Sequence, residues 1–217
     1  MKYLKDPEAI YRESFATIRS ETAFDNLPED VSEVAVRLIH ACGMTDIPPA
    51  LGFSPDAVRA GIRALSSGCP VLCDVRMVEY GIIQRFLPAE NNTWCCIDEM
   101  DVAQEARKRG VTRSAVATEH WLPYLLGSVV VIGNAPTALF RLLEGVEEEG
   151  WPHPALILGF PVGFVGAAES KIALAEKATA LEIPFMTLHG RRGGSAIAAA
   201  ALNAIAVLGQ KEAGAVL

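Results

Sequence analysis

Five short, almost continuous apolar runs constrain the fold of this chain more than any other feature of its sequence. Stretches with apolar residues at helical spacing separate the runs, which is typical of strands that alternate with helices. Strands that are apolar on both faces belong to parallel sheets covered by helices on both sides. We therefore expect an α/β fold, with a single-domain three-layer α/β/α arrangement around a five-stranded parallel sheet. The five runs are residues 71–75, 93–97, 129–132, 155–159 and 183–188.

The length and apolar content of the chain favour one domain. Its 217 residues are 51% hydrophobic, which is enough to bury one sizeable core. We expect a single domain over residues 1–217, with a helical N-terminal part at 1–67 and βα units at 70–208. Capping residues support the first helices, because Asp6-Pro7 is a typical helix start and Gly43 a typical helix end.

Charge and cysteine usage exclude several classes of partner. The net charge is −7 and the isoelectric point about 5.2, so we expect neither nucleic acid nor a membrane as a partner. No apolar run is long enough to span a bilayer, and the N-terminus lacks an apolar signal core, so we expect a cytoplasmic protein. The five cysteines and four histidines show no metal-ligand spacing, which predicts reduced thiols and no metal site.

Loops rich in glycine, proline and polar residues follow most of the predicted strands. In residues 155–166 an apolar run enters such a loop, and a helical pattern follows it. Ligands of open α/β sheets bind at the carboxyl ends of the strands, and helix N-termini favour anions. A plain strand-to-helix turn explains the same glycines, which do not form the dinucleotide fingerprint. The candidate residues at this edge are Arg113, Asn134, Gly163, Arg191, Arg192 and Ser195, with Thr112 and Ser114 beside Arg113.

His40 is the candidate general acid. It lies in the last turn of the helix that ends at Gly43, and a cation is favoured near a helix C-terminus. A hydrogen-bonded core histidine would give the same pattern. Ser14 and Arg19 lie off the apolar stripe of the preceding helix.

Several dispersed segments, taken together, resemble the precorrin-8X methylmutase family over nearly the whole chain. So many dispersed matches in one order are not expected from a chance resemblance. Phe160 stands where the family has a smaller aliphatic residue, a departure that alters no proposed role. The segments are Ser14–Glu21, Arg37–Gly43, Asp74–Val78, Thr112–Ser114, Gly133–Leu139, Pro161–Ala167, Glu169–Lys171 and Gly190–Ser195.

The resemblance implies an isomerase of cobalamin biosynthesis, which moves a methyl group from C-11 to C-12 of precorrin-8X and gives hydrogenobyrinic acid. It implies a flavodoxin-like, doubly wound fold, a homodimer, and neither cofactor nor metal. His40 matches the family's catalytic histidine, while Ser14 and Arg113 match positions that contact the tetrapyrrole. Carboxylates on the ring rim suit arginine forks and helix N-termini. The expected substrate-binding residues are Ser14, Arg19, Arg76, Thr112, Arg113, Ser114, Asn134, Val162, Gly163, Arg191, Arg192 and Ser195.

Three alternatives stay open on the sequence. A flavodoxin-like module that binds FMN or a nucleotide is disfavoured, because no loop has a phosphate-binding Gly-x-x-x-x-Gly-Lys-Ser/Thr run. A tetrapyrrole carrier without catalytic activity would share the same binding residues. If the protein is an enzyme, its substrate is either metal-free precorrin-8X or cobalt-precorrin-8. The second substrate would give cobyrinic acid. For the arginines the alternative is a solvated surface charge, and only for Arg76 is it about as good an explanation as a binding role.

Overall fold

The computed structural model describes residues 3–214 and contains one mixed six-stranded sheet. The strands are β1 (Leu51–Phe53), β2 (Val71–Cys73), β3 (Thr93–Trp94), β4 (Val129–Ile132), β5 (Leu156–Gly159) and β6 (Phe185–Leu188). Their order across the sheet is β1-β6-β5-β4-β2-β3. The central strands β4 and β5 are buried on both faces, as their apolar sequences predict.

Helices cover both faces of the sheet. On one face α9 packs against α2, α3 and α4, and α1 packs on the outside of α2. On the other face α5, α6, α7 and α8 pack side by side, as right-handed crossovers require. Within residues 3–214, none of the helices is long and apolar enough to span a membrane. The α-helices are α1 (Pro7–Glu21), α2 (Glu29–Cys42), α3 (Ala57–Ser66), α4 (Arg76–Gly81), α5 (Met100–Arg109), α6 (Arg113–His120), α7 (Pro136–Glu148), α8 (Ala167–Ala180) and α9 (Ser195–Glu212).

The structure confirms the two helix-capping residues that the sequence predicts, Asp6 and Gly43. Asp6 caps α1 through its carboxylate, which accepts the N–H groups of Glu8 and Ala9. Gly43 ends α2 in the left-handed conformation with a φ of 71°. Gly43 therefore determines where the helix that carries His40 stops, and Asp6 determines where the helix that carries Ser14 begins.

The prediction of five parallel strands is wrong in one respect, because the sheet has a sixth strand that is antiparallel. β1 pairs with β6 in the register Leu51↔Leu188, and it lies inside the part predicted to be helical. A half-buried strand of three residues gives no periodic apolar signal. A Cβ at its Gly52 would lie 2.4 Å from His189 Nε2, so this exposed imidazole would have to move to make room for a side chain.

Two predicted strands are also shorter than their apolar runs. β2 stops before Asp74, whose carboxylate binds another loop, and β3 stops before the buried Cys95 and Cys96. The acidic residues 144–148 form the end of α7, which buries Val146 and leaves its glutamates on the solvent side. An apolar run can therefore be longer than the strand it forms, because its last residues are buried in a loop without pairing in the sheet.

The five parallel strands have the order 2-1-3-4-5 when they are numbered among themselves. The chain passes from β2 to β3 on one side and from β4 to β5 on the other side. The position between β2 and β4 is therefore the switch point of the sheet. The residues that follow these two strands are Asp74 and Gly133. In sheets of this kind the crevice at the switch point is the usual place for a ligand.

Candidate active site

His40 and Ser14 form a hydrogen-bonded pair between α2 and α1. Ser14 Oγ lies 2.8 Å from His40 Nδ1, and Nε2 of the same ring has no hydrogen-bond partner within residues 3–214. The His40 side chain is exposed, so it is not the core histidine that the sequence left open. One ring nitrogen is thus oriented by a neighbouring helix while the other is available to a ligand.

Two aromatic rings of α1 flank this imidazole. The ring centroid of Tyr11 lies 5.3 Å from that of His40 at an interplanar angle of 31°. The ring of Phe15 meets His40 edge-on, also with centroids 5.3 Å apart. Tyr11 and Phe15 are four residues apart and therefore share one face of α1. That spacing was visible in the sequence, although it was not recognised as part of a site.

A groove of about 760 Å³ opens beside His40. This volume lies within the range of small-molecule sites, and aromatic or aliphatic side chains form much of the groove wall. Its walls come from α1, α2, the end of α4 and α9. They include Tyr11, Phe15, Arg37, His40, Phe86 and Ala199.

Two of the arginines that line the same groove, Arg37 and Arg85, have no ion-pair partner within residues 3–214, whereas Arg12 pairs with Glu8. The guanidinium of Arg37 lies 5.5 Å from the ring centroid of Phe15 and 6.0 Å from that of Phe86. Arg85 lies 5.2 Å from the Phe86 ring. Burial lowers the pKa of Arg37, because water is partly excluded from its guanidinium. Neither residue was among the predicted binding residues, although Arg37 opens the segment Arg37–Gly43 that resembles the family and lies one helical turn before His40.

The predicted residues at the start of α6 lie along the carboxyl edge of the sheet. Arg113 is exposed and has no ion-pair partner in the described chain. The hydroxyl of Thr112 accepts the N–H of Ala115 and donates to Thr137 Oγ1 at 2.8 Å. The Ser114 carbonyl accepts the hydroxyl of Thr118. Arg113 is therefore the member of this group with free donors.

Three of the predicted arginines are already paired. Arg19 binds Glu33 at 2.6 Å, and Arg76 binds Glu79 at 2.7 Å. Arg192 binds Asp46 at 2.7 Å, in the loop that follows α2. A ligand carboxylate at these positions would have to compete with a protein carboxylate.

The loop after β5 and the loop after β6 contact each other. The Gly163 N–H donates to the Arg191 carbonyl at 3.2 Å, and the Arg191 guanidinium lies over the Phe164 ring. Val162 is exposed beside Gly163. Ser195 begins α9 so close to the end of β4 that a Cβ on Gly133 would lie 2.7 Å from its Cα.

Asp74 fills the crevice at the switch point. Its two carboxylate oxygens accept the backbone N–H groups of Gly133, Asn134 and Ala135 at 2.8–2.9 Å. Burial raises the pKa of Asp74, and these three N–H groups act against that shift. The donors that would bind a phosphate at the start of α7 are thus already used, which argues against the FMN or nucleotide module.

The predicted residues therefore form two separate groups within one chain. Ser14 and His40 lie on the side of the sheet covered by α2 and α9, whereas Arg113 lies on α6 across the sheet. The predicted residues between Thr112 and Ser195 lie along the carboxyl edge of the sheet. Arg37 and Arg85, which line the groove, are not among them. The structure thus brings together His40 and Ser14, and it leaves Arg113 apart from them.

A cluster of possible metal ligands lies outside both groups. Glu99, Asp101 and His120 bring one ligand atom each within 4.8 Å of one another near the surface. Exposed carboxylates often approach a histidine in this way without an ion. That the protein needs no metal therefore stays a prediction.

Comparison with known proteins identifies relatives that cover the whole site. The family model described as precorrin-8X methylmutase matches residues 9–208. A precorrin-8X methylmutase of Pseudomonas aeruginosa is 57% identical over 94% of this chain and 97% of its own length. A Sinorhizobium precorrin-8X methylmutase is 49% identical over 94% and 96%, and a Priestia megaterium cobalt-precorrin-8 methylmutase is 38% identical over 93% and 88%. The solved precorrin-8X methylmutase of Thermus thermophilus superposes with a TM-score of 0.85 at 33% identity, covering 96% of this chain and 98% of that one.

Proposed function

The chain belongs to the precorrin-8X methylmutase family, and we propose that His40 is the general acid of its reaction. The protein is an isomerase that converts precorrin-8X to hydrogenobyrinic acid by moving a methyl group from C-11 to C-12. The observation that carries the proposal is the Ser14–His40 pair at the mouth of an apolar groove with unpaired arginines. No other histidine lines this groove in the described chain.

The pair suits proton donation. In the protonated imidazolium both ring nitrogens are donors, so Nδ1–H binds Ser14 Oγ and Nε2–H is left for the substrate. After the transfer from Nε2 the neutral ring keeps its Nδ1–H, which still donates to Ser14 Oγ and preserves the orientation of the ring. A proton on the macrocycle polarises the conjugated system toward methyl migration, and the groove holds the ring in the reactive geometry.

The groove also suits the two parts of a tetrapyrrole. Tyr11, Phe15 and Phe86 offer aromatic faces to the ring plane, while Arg37 and Arg85 offer guanidinium groups to its carboxylates. Because neither arginine is paired with a protein carboxylate, binding would replace water rather than an existing ion pair. We therefore assign the substrate to this groove and regard Arg37 as its central anchor.

We assign metal-free precorrin-8X as the substrate. Two relatives named precorrin-8X methylmutase, those of Pseudomonas aeruginosa and Sinorhizobium, are 57% and 49% identical to this chain. Two relatives named cobalt-precorrin-8 methylmutase are each 38% identical. An assay of both substrates with the purified enzyme tests this preference, and faster turnover of the cobalt form would reverse it.

We propose a homodimer in which Arg113 of one protomer reaches the groove of its partner. One chain leaves Arg113 and His40 on opposite sides of the sheet, while Phe164 and Val165 are 85% and 89% exposed. Large exposed apolar side chains favour a protein interface. Light scattering at micromolar concentration should give twice the chain mass. A monomer that stays fully active on dilution would exclude the shared site.

The finer structural assignments are also proposals. The strand order 2-1-3-4-5 of the parallel part supports the flavodoxin-like topology, and the single sheet supports one domain over residues 1–217. The five cysteines are free thiols, which agrees with a cytoplasmic location.

Replacing His40 tests the central proposal. His40→Leu should lower kcat by about 10²- to 10⁴-fold, because the acid step is lost while the groove keeps its shape. Substrate and product differ in conjugation, so the reaction can be followed in the visible spectrum. His120→Leu is the matched control, since His120 also ends a helix but lies outside the groove. Turnover of His40→Leu at the parent rate would refute the assignment, whereas binding without turnover in the parent itself would favour the carrier.

A further inference from the structure

Lys171 is a buried lysine on α8 to which no role has been given above. Its side chain has no solvent exposure, and its Nζ donates to the backbone carbonyl of Arg192 at 2.6 Å. Burial lowers the pKa of Lys171 to about 8, and no charged neighbour contributes to that change. The ammonium therefore lies in the protein interior with one neutral acceptor and no counterion.

The elements packed against α8 supply no counterion either. On α7, Arg141 pairs with Glu119 and Glu149, and Glu147 pairs with Lys177. β6 carries no charged residue. No carboxylate within residues 3–214 forms an ion pair with Lys171. The charged and titratable side chains on α7, on α8 and in the loop after β6 are Arg141, Glu144, Glu147, Glu148, Glu169, Glu176, Lys177, His189, Arg191 and Arg192.

Such an arrangement costs stability. Burial of an ammonium without a carboxylate is strongly unfavourable, and one hydrogen bond to a neutral carbonyl offsets only part of that cost. An apolar side chain of similar length would fill the same space without the penalty. Stability alone therefore does not explain a lysine here, and its contact with Arg192 indicates what it serves.

The contact fixes one side of the loop that carries Arg191 and Arg192. The opposite side is tied to the loop after β5, because Gly194 N–H donates to the Phe160 carbonyl at 2.9 Å. Gly193 has no room for a side chain, since a Cβ would lie 2.3 Å from that carbonyl oxygen. The backbone is thus held on both sides, while the Arg191 guanidinium projects over Phe164 without a carboxylate partner.

We infer that Lys171 is a positioning residue, which holds the backbone at Arg192 so that Arg191 is aimed at a substrate carboxylate. The inference rests on the proposed function together with the prediction from the sequence that Arg191 binds the substrate. Lys171 does not touch the substrate and does not act on His40. Its loss should therefore change substrate affinity and leave the chemical step unaltered.

The test compares Lys171→Met with Lys177→Met in the full-length protein. Lys177 lies on the same helix but on its partly exposed side, where it pairs with Glu147. Lys171→Met should raise KM about 10-fold, keep kcat within about twofold and give a melting temperature equal to or above that of the parent. Lys177→Met should keep the parent KM. In an Arg191→Ala background, Lys171→Met should raise KM no further.

Each alternative outcome is distinct. A Lys171→Met protein with the parent KM would overturn the inference, and so would a parallel loss of kcat and melting temperature, which marks a purely structural residue. An undiminished effect in the Arg191→Ala background would show that Lys171 acts elsewhere, and would overturn it as well. If Arg191→Ala alone keeps the parent KM, the proposed role of Arg191 fails. If Arg191→Ala loses affinity but Lys171→Met does not, only the role of Lys171 fails.

Discussion

The crevice at the switch point and the groove beside His40 use polar groups in opposite ways. In the crevice every donor is satisfied by the protein itself, since Asp74 accepts three adjacent backbone N–H groups. In the groove, Arg37 and His40 Nε2 have no acceptor among residues 3–214, although both are held in place by aromatic rings. The first arrangement stabilises the fold, and the second leaves donors available for a substrate.

This contrast explains why the usual ligand position of the fold is not the one proposed for this enzyme. A ligand at the switch point would have to displace a buried carboxylate, whereas a ligand in the groove meets cations that lack partners. The two regions should therefore respond differently to mutation. Changes in the crevice should alter stability, and changes in the groove should alter binding.

Asp74→Ala should have the largest effect on stability. The substitution removes the acceptor of three N–H groups, and each such group left unsatisfied in the interior costs about 1–3 kcal/mol. We expect the free energy of unfolding to fall by at least about 3 kcal/mol in urea titrations. Asp98→Ala is the control, because its exposed ion pair with Arg76 should contribute less than about 1 kcal/mol. Equal midpoints for the two variants would show that the crevice is not a stabilising element.

Arg37→Met should have an intermediate effect, confined to binding. Methionine keeps the apolar stem between Phe15 and Phe86, and no ion pair is lost on substitution. Loss of a hydrogen bond to a charged group should weaken tetrapyrrole binding by about 1.5–3 kcal/mol, or about 10-fold or more. Titration in the visible band measures the affinity, with Arg59→Met on α3 as the control. An unfolded Arg37→Met protein, or one with the parent affinity, would contradict the contrast between the two regions.

The pH dependence of stability should show the smallest effect. The pKa of Lys171 is lowered from 10.5 to about 8 in the folded protein, so between these values only the unfolded chain holds the proton. Unfolding then takes up a proton, and stability should rise with pH from about 8 upward, by at most about 1.4 kcal/mol per pH unit. Below pH 8 the cost of burial is present in full.

Other groups act against this rise at higher pH. Burial raises the pKa of Cys69 to about 11 and that of Cys96 to about 12, so stability should fall once unfolded thiols ionise near pH 9. The measurement is therefore the difference in unfolding free energy between the parent and Lys171→Met from pH 7 to 9. A difference that does not change over this range would mean that Lys171 is not a buried cation.

The sequence by itself determined the elements whose signals are local. Apolar runs predicted the five parallel strands, the cap at Asp6-Pro7 and the glycine at residue 43 predicted helix ends, and dispersed motifs indicated the family. Each of these signals depends on residues within a few positions of one another. His40 was predicted as the candidate acid in the same way, from its place in the last turn of α2, and this role stays a prediction.

Only the tertiary structure decided which polar groups are used up and which remain free. Asp74 binds N–H groups 59 to 61 residues away, and Lys171 binds a carbonyl 21 residues away in another loop. β1 exists because it pairs with β6, more than 130 residues later, and not because of its own three residues. The groove likewise combines α1 and α2 with α9 from the other end of the chain. Partners so distant leave no periodic trace in the sequence, since burial and pairing are decided only when the layers pack.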